Sequence, residues 1–123
     1  VGMKLYTGVD SIEIARVEKA IARDSFFKGV YTPEEQQRLG KMKHPAPTAA
    51  GYFAAKEAFA KALGTGFRGF RPHEVGVVVD ELGAPRLVPT GRAAQLCGGK
   101  KFSLSITHTA STATAFVVAW EEE

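Results

Sequence analysis

The segment from Gly51 to Gly66 has the clearest helical pattern in the chain, and it is apolar on nearly every side. Alanine, leucine, lysine and glutamate favour a helix here, no proline interrupts it, and Gly64 is placed to end it in a left-handed cap. Such a helix is usually buried against other elements or against another subunit. Lys56, Glu57 and Lys61 therefore stand out, because a buried charge is costly unless it is paired or binds a ligand.

Two interpretations of these charges are open on local grounds. Glu57 and Lys61 are four residues apart and share a face of the helix, with Lys56 about a quarter-turn away. They form either an ordinary ion pair that reaches solvent or part of a ligand site. The helix alone supports both interpretations equally.

The chain begins with a strand pattern followed by an amphipathic helix. Residues 3–9 predict a short strand that carries Asp10 at its C-terminal end. Ser11 is positioned to cap the next helix, whose inner face holds Ile14 and Val17. Taken locally, Asp10 is favoured as a helix-capping side chain as well.

Two further features precede the central helix. The apolar residues of 26–31 form a cluster that suits either the core or a protein contact. Residues 32–35 form a capping box with proline in the first turn and predict a helix to about Met42. Residues 44–47 contain two prolines and predict a stiff surface loop.

The C-terminal half is mainly strands. The segments that predict them are 74–80 and 86–88, joined as a hairpin, then 102–107 and 113–120, with a short helix at 90–96. His108 ends the third of these strands and is locally favoured as a hydrogen-bonded loop histidine. Glu121 to Glu123 predict a solvated tail. Helices thus precede strands, which indicates an α+β fold with a largely antiparallel sheet.

Composition narrows the class of protein. A chain of 123 residues predicts one domain, 1–123, and its 45% hydrophobic and 24% charged residues are typical of a globular protein. No apolar run has the length of a membrane span and no signal peptide is recognisable, so we expect a cytoplasmic protein. Val1 and Gly2 ahead of Met3 are expected to be a vector-derived remnant. The single Cys97 excludes an internal disulfide and is interpreted as a small buried hydrophobe.

The net charge of +3 is mild. It permits an acidic partner or a phosphate ligand. Nucleic acid is not expected, because the chain has no basic block with interleaved aromatic residues.

Four segments resemble those of the holo-[acyl-carrier-protein] synthases, which are phosphopantetheinyl transferases. They are Gly8-Val9-Asp10 with Arg16, the aromatic-x-x-Lys-Glu-Ala-x-x-Lys signature at residues 53–61 followed by Gly64-Thr65-Gly66, Gly83-Ala84-Pro85, and residues 103–109 with Thr107 and His108. Their order spans nearly the whole chain after Met3. The small size resembles the stand-alone, trimeric type of this family.

The resemblance implies a reaction and a set of site residues. The 4′-phosphopantetheine group of coenzyme A would pass to a serine of apo acyl carrier protein, releasing adenosine 3′,5′-bisphosphate, in support of fatty acid or polyketide biosynthesis. It implies Asp10, Glu57 and Lys61 as catalytic residues, with Mg²⁺ held by the two carboxylates. Glu57 or a metal-bound water would take the serine proton. The implied coenzyme A contacts are Lys56, Lys61, Gly64, Gly83, Pro85, Thr107 and His108.

The resemblance also implies partners. The carrier protein is acidic, and the first helix offers Arg16, which matches the family, and Arg23, which rests on charge, with Lys19 and Lys28 nearby. A homotrimer with sites between subunits would cover the second apolar side of the central helix.

One residue departs from the family pattern. Many members carry arginine immediately before the aromatic of the helix signature, in contact with coenzyme phosphate, and Tyr52 stands there in this chain. Arg68 or Arg71 are the cations that we expect to substitute.

Two other functions are compatible with part of the sequence. A non-catalytic scaffold would use the basic first helix for an acidic partner, but it leaves Asp10, Glu57 and Lys61 unexplained. A different Mg²⁺-dependent phosphotransferase acting on a nucleotide would satisfy the metal chemistry. The strand that ends at His108 favours coenzyme A.

Overall fold

The computed structural model describes residues 2–122 and has the predicted α+β arrangement. The strands are β1 (Met3–Glu13), β2 (Val75–Val79), β3 (Pro85–Pro89), β4 (Lys101–His108) and β5 (Thr112–Glu122). The helices are α1 (Ile14–Ile21), α2 (Asp24–Val30), α3 (Pro33–Gly40), α4 (Ala46–Leu63) and α5 (Gly91–Cys97), with one turn of 3-10 helix at Pro72–Glu74. Val1 and Glu123, which the vector-remnant and tail interpretations include, lie outside the described residues.

The strands form an antiparallel sheet and a separate hairpin. The three-stranded sheet has the order β1-β5-β4, with Asp10 opposite Ala115 and Ile106 opposite Ala115 on the other side. The second sheet is the predicted hairpin β2-β3. Its turn is held by Asp80, whose Oδ1 accepts the backbone N–H groups of Leu82 and Ala84.

The central helix α4 is buried within its own chain. One side packs on β1, β5 and α1, and the other contributes Phe59 to a cluster with Phe70 and Val75. Small residues on α4 and on the inner face of β5 allow the close approach. The expectation that a second apolar side of this helix faces a neighbouring subunit is therefore wrong, since the chain itself covers both sides.

Gly8 is required for the contact between β1 and α4. A Cβ atom at this position would overlap the Ala58 carbonyl oxygen and lie 2.8 Å from the Ala62 backbone nitrogen. Only glycine lets a strand come this close to the helix backbone. This contact determines where the following residues of β1 lie along α4.

Several local predictions are confirmed. Gly64 ends α4 with a φ of 78°, and Thr32 and Glu35 form the predicted capping box of α3. Cys97 is buried and donates from Sγ to the Ala93 carbonyl oxygen at 3.1 Å. The two helix caps depend on short-range geometry, which the sequence encodes directly.

The segment around Asp10 differs from the prediction. The strand continues through Asp10 to Glu13, so Asp10 lies within β1 and caps no helix. Ser11 does not cap α1 either, and its Oγ hydrogen-bonds with Thr114 Oγ1 across the sheet at 2.8 Å. The eleven-residue partner strand β5 extends β1, because each added residue gains a paired neighbour.

The start of α4 and the end of β5 also differ from the boundaries that the sequence predicts. The helix α4 begins at Ala46, and Pro47 fits in its first turn, where the missing N–H costs nothing. Glu121 belongs to β5 and accepts a hydrogen bond from the Tyr6 hydroxyl at 2.6 Å, so it is part of the sheet and not of a solvated tail.

Candidate active site

Asp10, Glu57 and Lys61 are brought together where β1 packs on α4. Asp10 lies on the same side of β1 as Gly8, because residues two apart in a strand point the same way. The Lys61 ammonium lies 3.1 Å from Asp10 Oδ1 and donates to the Val9 carbonyl oxygen at 2.9 Å. Lys61 thus pairs with the strand and not with Glu57, so the interpretation as an ordinary intrahelical ion pair is wrong.

Glu57 is partly buried beside this pair. Burial raises the pKa of its carboxyl above the ordinary value of 4.5, and the charge of Asp10 raises it further. The ammonium of Lys61 offsets part of this rise. Two carboxylates and one lysine therefore act on one another across the β1–α4 contact.

The two carboxylates suit a hard divalent cation. Within residues 2–122 there is no group of three or more histidine, cysteine, aspartate or glutamate side chains arranged for a metal. Asp10 and Glu57 each offer a carboxylate oxygen, and the charge of Asp10 disfavours the charged form of Glu57, so a cation bound between them would relieve this effect. An ion such as Mg²⁺ takes one or two carboxylates and completes its octahedron with water and phosphate.

Lys56 has a different role from the one expected. Its ammonium is fully buried and lies 2.9 Å from Glu35 Oε1, and it also donates to the carbonyl oxygens of Val75 at 2.6 Å and Pro72 at 3.3 Å. Burial lowers its pKa, and Glu35 opposes this. With its donors used inside the protein, Lys56 is not placed for the expected coenzyme contact. It joins α4 to α3 and to β2.

Glu35 is the other half of this buried link. Its Oε1 accepts the Thr32 backbone N–H at 2.8 Å, and its Oε2 accepts the Val77 backbone N–H at 2.6 Å. One carboxylate thereby caps α3, accepts a hydrogen bond from the backbone of β2 and neutralises Lys56. The capping box is visible in the sequence, but the buried ion pair is not, since it joins residues 21 apart.

A groove of about 310 Å³ lies at the N-terminal end of α4. It brings together Gly83 and Pro85 from the hairpin with His108 from the end of β4, three of the expected coenzyme-binding residues. His108 is exposed, and its Nδ1 lies 3.1 Å from the Thr109 carbonyl oxygen. These residues are distant in sequence, and the groove is where they meet.

Other expected coenzyme residues lie elsewhere in the chain. Thr107 is exposed on the side of β4 opposite to His108, since neighbouring strand residues alternate. Gly64 ends α4, twelve residues and about 18 Å along the helix from Tyr52 in the groove. One chain alone therefore does not gather all of the expected positions around a single cavity.

A second groove, about 490 Å³ in volume, runs along α1. Arg16, Lys19 and Arg23 line it over an apolar floor that includes Phe26 and Phe53. The Arg23 guanidinium stacks 5.8 Å from the centre of the Phe26 ring. The surface combines positive charge with apolar contact area, which suits an acidic protein partner.

Lys28 does not take part in that groove. It lies on α2, where its ammonium pairs with Asp24 Oδ2 at 3.1 Å. The expectation that Lys28 adds to the basic surface is therefore not supported by its position.

Comparison with known proteins identifies the family. The family model described as the 4′-phosphopantetheinyl transferase superfamily matches residues 6–120. A protein named holo-[acyl-carrier-protein] synthase from Caldanaerobacter subterraneus subsp. tengcongensis is 36% identical over 121 residues, covering 95% of each chain. Another of that name from Geobacter sp. strain M21 is 44% identical over 118 residues, covering 91% of this chain and 94% of the relative. The chain belongs to the 4′-phosphopantetheinyl transferase superfamily.

A solved member of this superfamily has the same fold over its whole length. The crystal structure of a holo-(acyl-carrier-protein) synthase from Bacillus anthracis str. Ames, in complex with CoA (3′,5′-ADP), superposes with a TM-score of 0.85 at 31% identity. The match covers 98% of this chain and all of that one. The fold described above is thus the fold of the transferase superfamily.

The groove at the N-terminal end of α4 contains one feature that the sequence did not reveal. The Arg38 guanidinium lines the groove at the N-terminal end of α4 and donates from Nη1 to the Tyr52 hydroxyl at 2.7 Å. Arg71, by contrast, lines a different groove with Phe67 and Arg92. The cation beside Tyr52 is therefore Arg38, and the expectation that Arg68 or Arg71 substitutes there is not supported. The only signal in the sequence was Tyr52 itself, at a position where many members of the superfamily carry arginine.

No helix within residues 2–122 combines the length and the apolar character that crossing a bilayer needs.

Proposed function

We propose that this chain is a holo-[acyl-carrier-protein] synthase. It transfers the 4′-phosphopantetheine group of coenzyme A to a serine of apo acyl carrier protein and releases adenosine 3′,5′-bisphosphate. The observation that carries this proposal is the meeting of Asp10, Glu57 and Lys61 at the β1–α4 contact of a chain in the transferase superfamily. The names of its relatives point to the same activity.

The chemistry is an in-line displacement at phosphorus. The serine oxygen of the carrier attacks the phosphorus that bears the pantetheine arm, and the bond to the oxygen of the leaving bisphosphate breaks. Lys61, which lies beside Asp10, would neutralise the charge that develops on the leaving phosphate. The serine proton passes to Glu57 or to a water at the same place.

Mg²⁺ is part of this proposal. Asp10 and Glu57 would hold it, and the bound ion would neutralise the diphosphate of coenzyme A. The support for this assignment is that Asp10 meets α4 one turn from Glu57, at Lys61, and that its charge disfavours the charged form of Glu57, an effect that a bound cation would relieve.

The groove at the N-terminal end of α4 is proposed to hold the nucleotide end of coenzyme A. Gly83 and Pro85 form its hairpin wall and His108 its sheet wall. Gly64 and Thr107, which face elsewhere in one chain, are proposed to contribute across a subunit contact.

A homotrimer is the proposed assembly. The face of the three-stranded sheet that points away from α4 carries exposed apolar side chains: Leu5 is 65% exposed, Val9 53% and Phe116 44%. Side chains of this kind on adjacent strands commonly mark a protein contact. Thr107 lies on this same face, so contact through it would bring Thr107 towards a neighbouring subunit.

The carrier protein is proposed to dock on the groove along α1. Arg16 and Arg23 would attract its acidic surface, while Phe26 and Phe53 would supply apolar contact. We propose that the protein acts in the cytoplasm, in support of fatty acid or polyketide synthesis.

Weighing the carrier by mass spectrometry tests the function. Apo acyl carrier protein, coenzyme A and Mg²⁺ are incubated with the wild-type chain, and we expect a mass increase of one phosphopantetheine group on the carrier. Omission of Mg²⁺ with a chelator present is expected to stop the increase. A carrier of unchanged mass would refute the proposal and leave a scaffold or another phosphotransferase as the alternatives.

A further inference from the structure

The Glu57 carboxylate depends on α4 for its position. Within residues 2–122 no side-chain hydrogen bond or ion pair includes it, and its surroundings act on it through burial and through the charges of Asp10 and Lys61. Lys61 differs, because its ammonium is bonded to the backbone of Val9 as well as to Asp10. The place of Glu57 at Asp10 is therefore set by how α4 as a whole lies against β1.

The sheet side of α4 does little to fix the rotation of the helix. Ala54, Ala58 and Ala62 are buried in one stripe, and Ala58 and Ala62 lie against Gly8 of β1. Side chains this short form shallow ridges, so the helix interlocks weakly with the sheet. Large buried rings such as Phe59 add apolar area, but hydrophobic contact is non-directional. Directional contacts set the rotation of α4 about its axis more sharply.

Lys56 makes such contacts, one residue before Glu57. An ammonium group has three N–H donors, and here they have acceptors on three other elements. The acceptors are the Glu35 carboxylate of α3 at 2.9 Å, the Val75 carbonyl oxygen of β2 at 2.6 Å and the Pro72 carbonyl oxygen of the 3-10 turn at 3.3 Å. Because no acceptor lies on α4 itself, the three bonds fix the ammonium relative to the rest of the fold.

Glu35 is held as firmly as Lys56. Its two carboxylate oxygens accept the backbone N–H groups of Thr32 at 2.8 Å and of Val77 at 2.6 Å. Both charged side chains are 0% exposed, and no buried side-chain nitrogen or oxygen within residues 2–122 lacks a hydrogen-bond partner. Apolar residues can often replace a buried ion pair without loss of stability. The pair is therefore better suited to fixing an orientation than to adding stability.

We propose that Lys56 and Glu35 are positioning residues for the transfer reaction, because their buried pair sets the rotation of α4 and so holds Glu57 at Asp10. The inference rests on the proposed function, since it assumes that Glu57 takes part in transfer. Lys56 and Glu57 are consecutive and lie about 100° apart around the helix, so a rotation that moves one moves the other.

A small rotation is enough to matter. Side-chain ends lie about 5–6 Å from a helix axis, so a rotation of about 10° moves the Glu57 carboxylate by about 1 Å. A misplacement of about 1 Å at a reacting centre can lower the rate about a hundredfold. A change at the buried pair is thus expected to reach the chemical step without touching a substrate.

The test replaces the pair without leaving a buried charge. Glu35→Gln combined with Lys56→Met removes both charges and the three directional bonds of Lys56. We expect a folded protein whose kcat for transfer is about tenfold to a hundredfold lower than that of the wild type. The KM for coenzyme A should stay within about twofold, since both side chains are buried away from any ligand. A folded double variant with the wild-type kcat would overturn the proposal.

Leu39→Ala separates positioning from a general loss of stability. Leu39 is a core side chain of the helix that carries Glu35, and its truncation opens a cavity but removes no bond of Lys56 or Glu35. At a temperature where both proteins are fully folded, Leu39→Ala should keep kcat within about twofold of the wild type. The same loss of kcat in Leu39→Ala as in the double variant would refute a specific role of the pair.

A coupling measurement shows whether the pair acts through Glu57. When the double change is added to Glu57→Gln, the residual kcat should fall less than about twofold, because the positioned carboxylate is already absent. A further loss as large as in the wild-type background would refute action through Glu57.

Lys56→Arg replaces the double variant in these comparisons if that variant does not fold. Its longer, planar guanidinium does not match three acceptors arranged around an ammonium. We expect kcat to fall with an unchanged KM for coenzyme A, and the wild-type kcat in a folded Lys56→Arg protein would overturn the proposal.

Crystal structures distinguish the failure of this inference from the failure of the proposed function. If the wild-type chain transfers nothing, α4 is compared in crystals of the wild type and of the double variant. A rotation of α4 by about 10° or more supports positioning by the pair, whichever reaction Glu57 serves. The distance between Lys61 Nζ and Asp10 Oδ1, 3.1 Å in the wild type, should then lengthen. An unchanged α4 would refute the inference.

Discussion

Gly8 of β1 and Ala58 of α4 are in backbone contact, and no side chain fits between them. The contact brings the strand so close to the helix that Asp10, two residues further on, meets Lys61. The absence of a side chain at Gly8 thus determines where Asp10 and Lys61 meet. The Gly-x-Asp pattern has its physical explanation in this contact.

Gly8→Ala is expected to separate β1 from α4. The added methyl group would overlap the Ala58 carbonyl oxygen, and overpacking of this kind costs about 1–3 kcal/mol. Urea unfolding measures the loss of stability, and the transfer assay should show a larger fall in kcat than in carrier binding, because Asp10 moves. Gly29→Ala is the matched control, since Gly29 is exposed on α2 with no atom near its missing Cβ. A Gly8→Ala protein as stable and as active as Gly29→Ala would contradict the close contact.

The buried Lys56–Glu35 pair is expected to act on stability and not on coenzyme binding. Lys56→Met leaves the Glu35 carboxylate buried without its partner, which costs about 3–5 kcal/mol. The double variant Glu35→Gln with Lys56→Met should be more stable than Lys56→Met, because no buried charge is left. Urea unfolding of the single and double variants measures this difference. A stable Lys56→Met protein with a raised KM for coenzyme A would instead restore the direct coenzyme contact expected from the resemblance.

Glu57→Gln is expected to abolish transfer while stabilising the metal-free protein. Burial and Asp10 raise the pKa of Glu57 above 4.5, so its contribution to stability is full below pH 4.5 and is lost as the pH rises through the higher folded-state value. In the presence of a chelator at pH 7, Glu57→Gln should therefore have a higher thermal midpoint of unfolding than the wild type. Near pH 4 the two midpoints should be equal. Transfer should fall at least about a hundredfold. Glu81→Gln, an exposed side chain of the hairpin, should change neither measurement.

Reversal of the charge at Arg16 is expected to weaken binding of the carrier protein and not binding of coenzyme A. Arg16→Glu places a negative charge in the groove along α1 and should raise the KM for acyl carrier protein about tenfold at low salt, with a smaller effect at high salt. The KM for coenzyme A should stay within about twofold of the wild type. Arg92→Glu is the control, because it makes the same change of charge in another groove. An equal rise of both KM values would argue against separate binding surfaces.

The outer face of the sheet is expected to hold the oligomer together. Phe116→Glu introduces a charge among the exposed apolar side chains of β1 and β5 and should convert a trimer to monomers in light scattering after size-exclusion chromatography. Leu82→Glu is the control, because Leu82 is 96% exposed in the turn of the β2–β3 hairpin, which is not part of the three-stranded sheet. A trimer that persists in Phe116→Glu would place the subunit contact elsewhere.

Short-range features were predictable because their physics is local. The Gly64 cap of α4, the capping box of α3 and the β2–β3 hairpin were all evident from residues a few positions apart. The extent of β1 was not, since its last residues are paired by β5, which lies about 100 positions later in the chain. The pairing of β1 with β5 outweighs the local preference of Ser11 and Asp10 for capping a helix.

The sequence by itself determined the class of fold, the helix signature and the identity of Asp10, Glu57 and Lys61 as candidate site residues. The tertiary structure decided which charges meet. It buried Lys56 against Glu35, paired Lys61 with Asp10 and set Arg38 against Tyr52. The physical reason is that burial and pairing depend on residues from different elements at distances of about 3 Å, which spacing along one helix cannot specify.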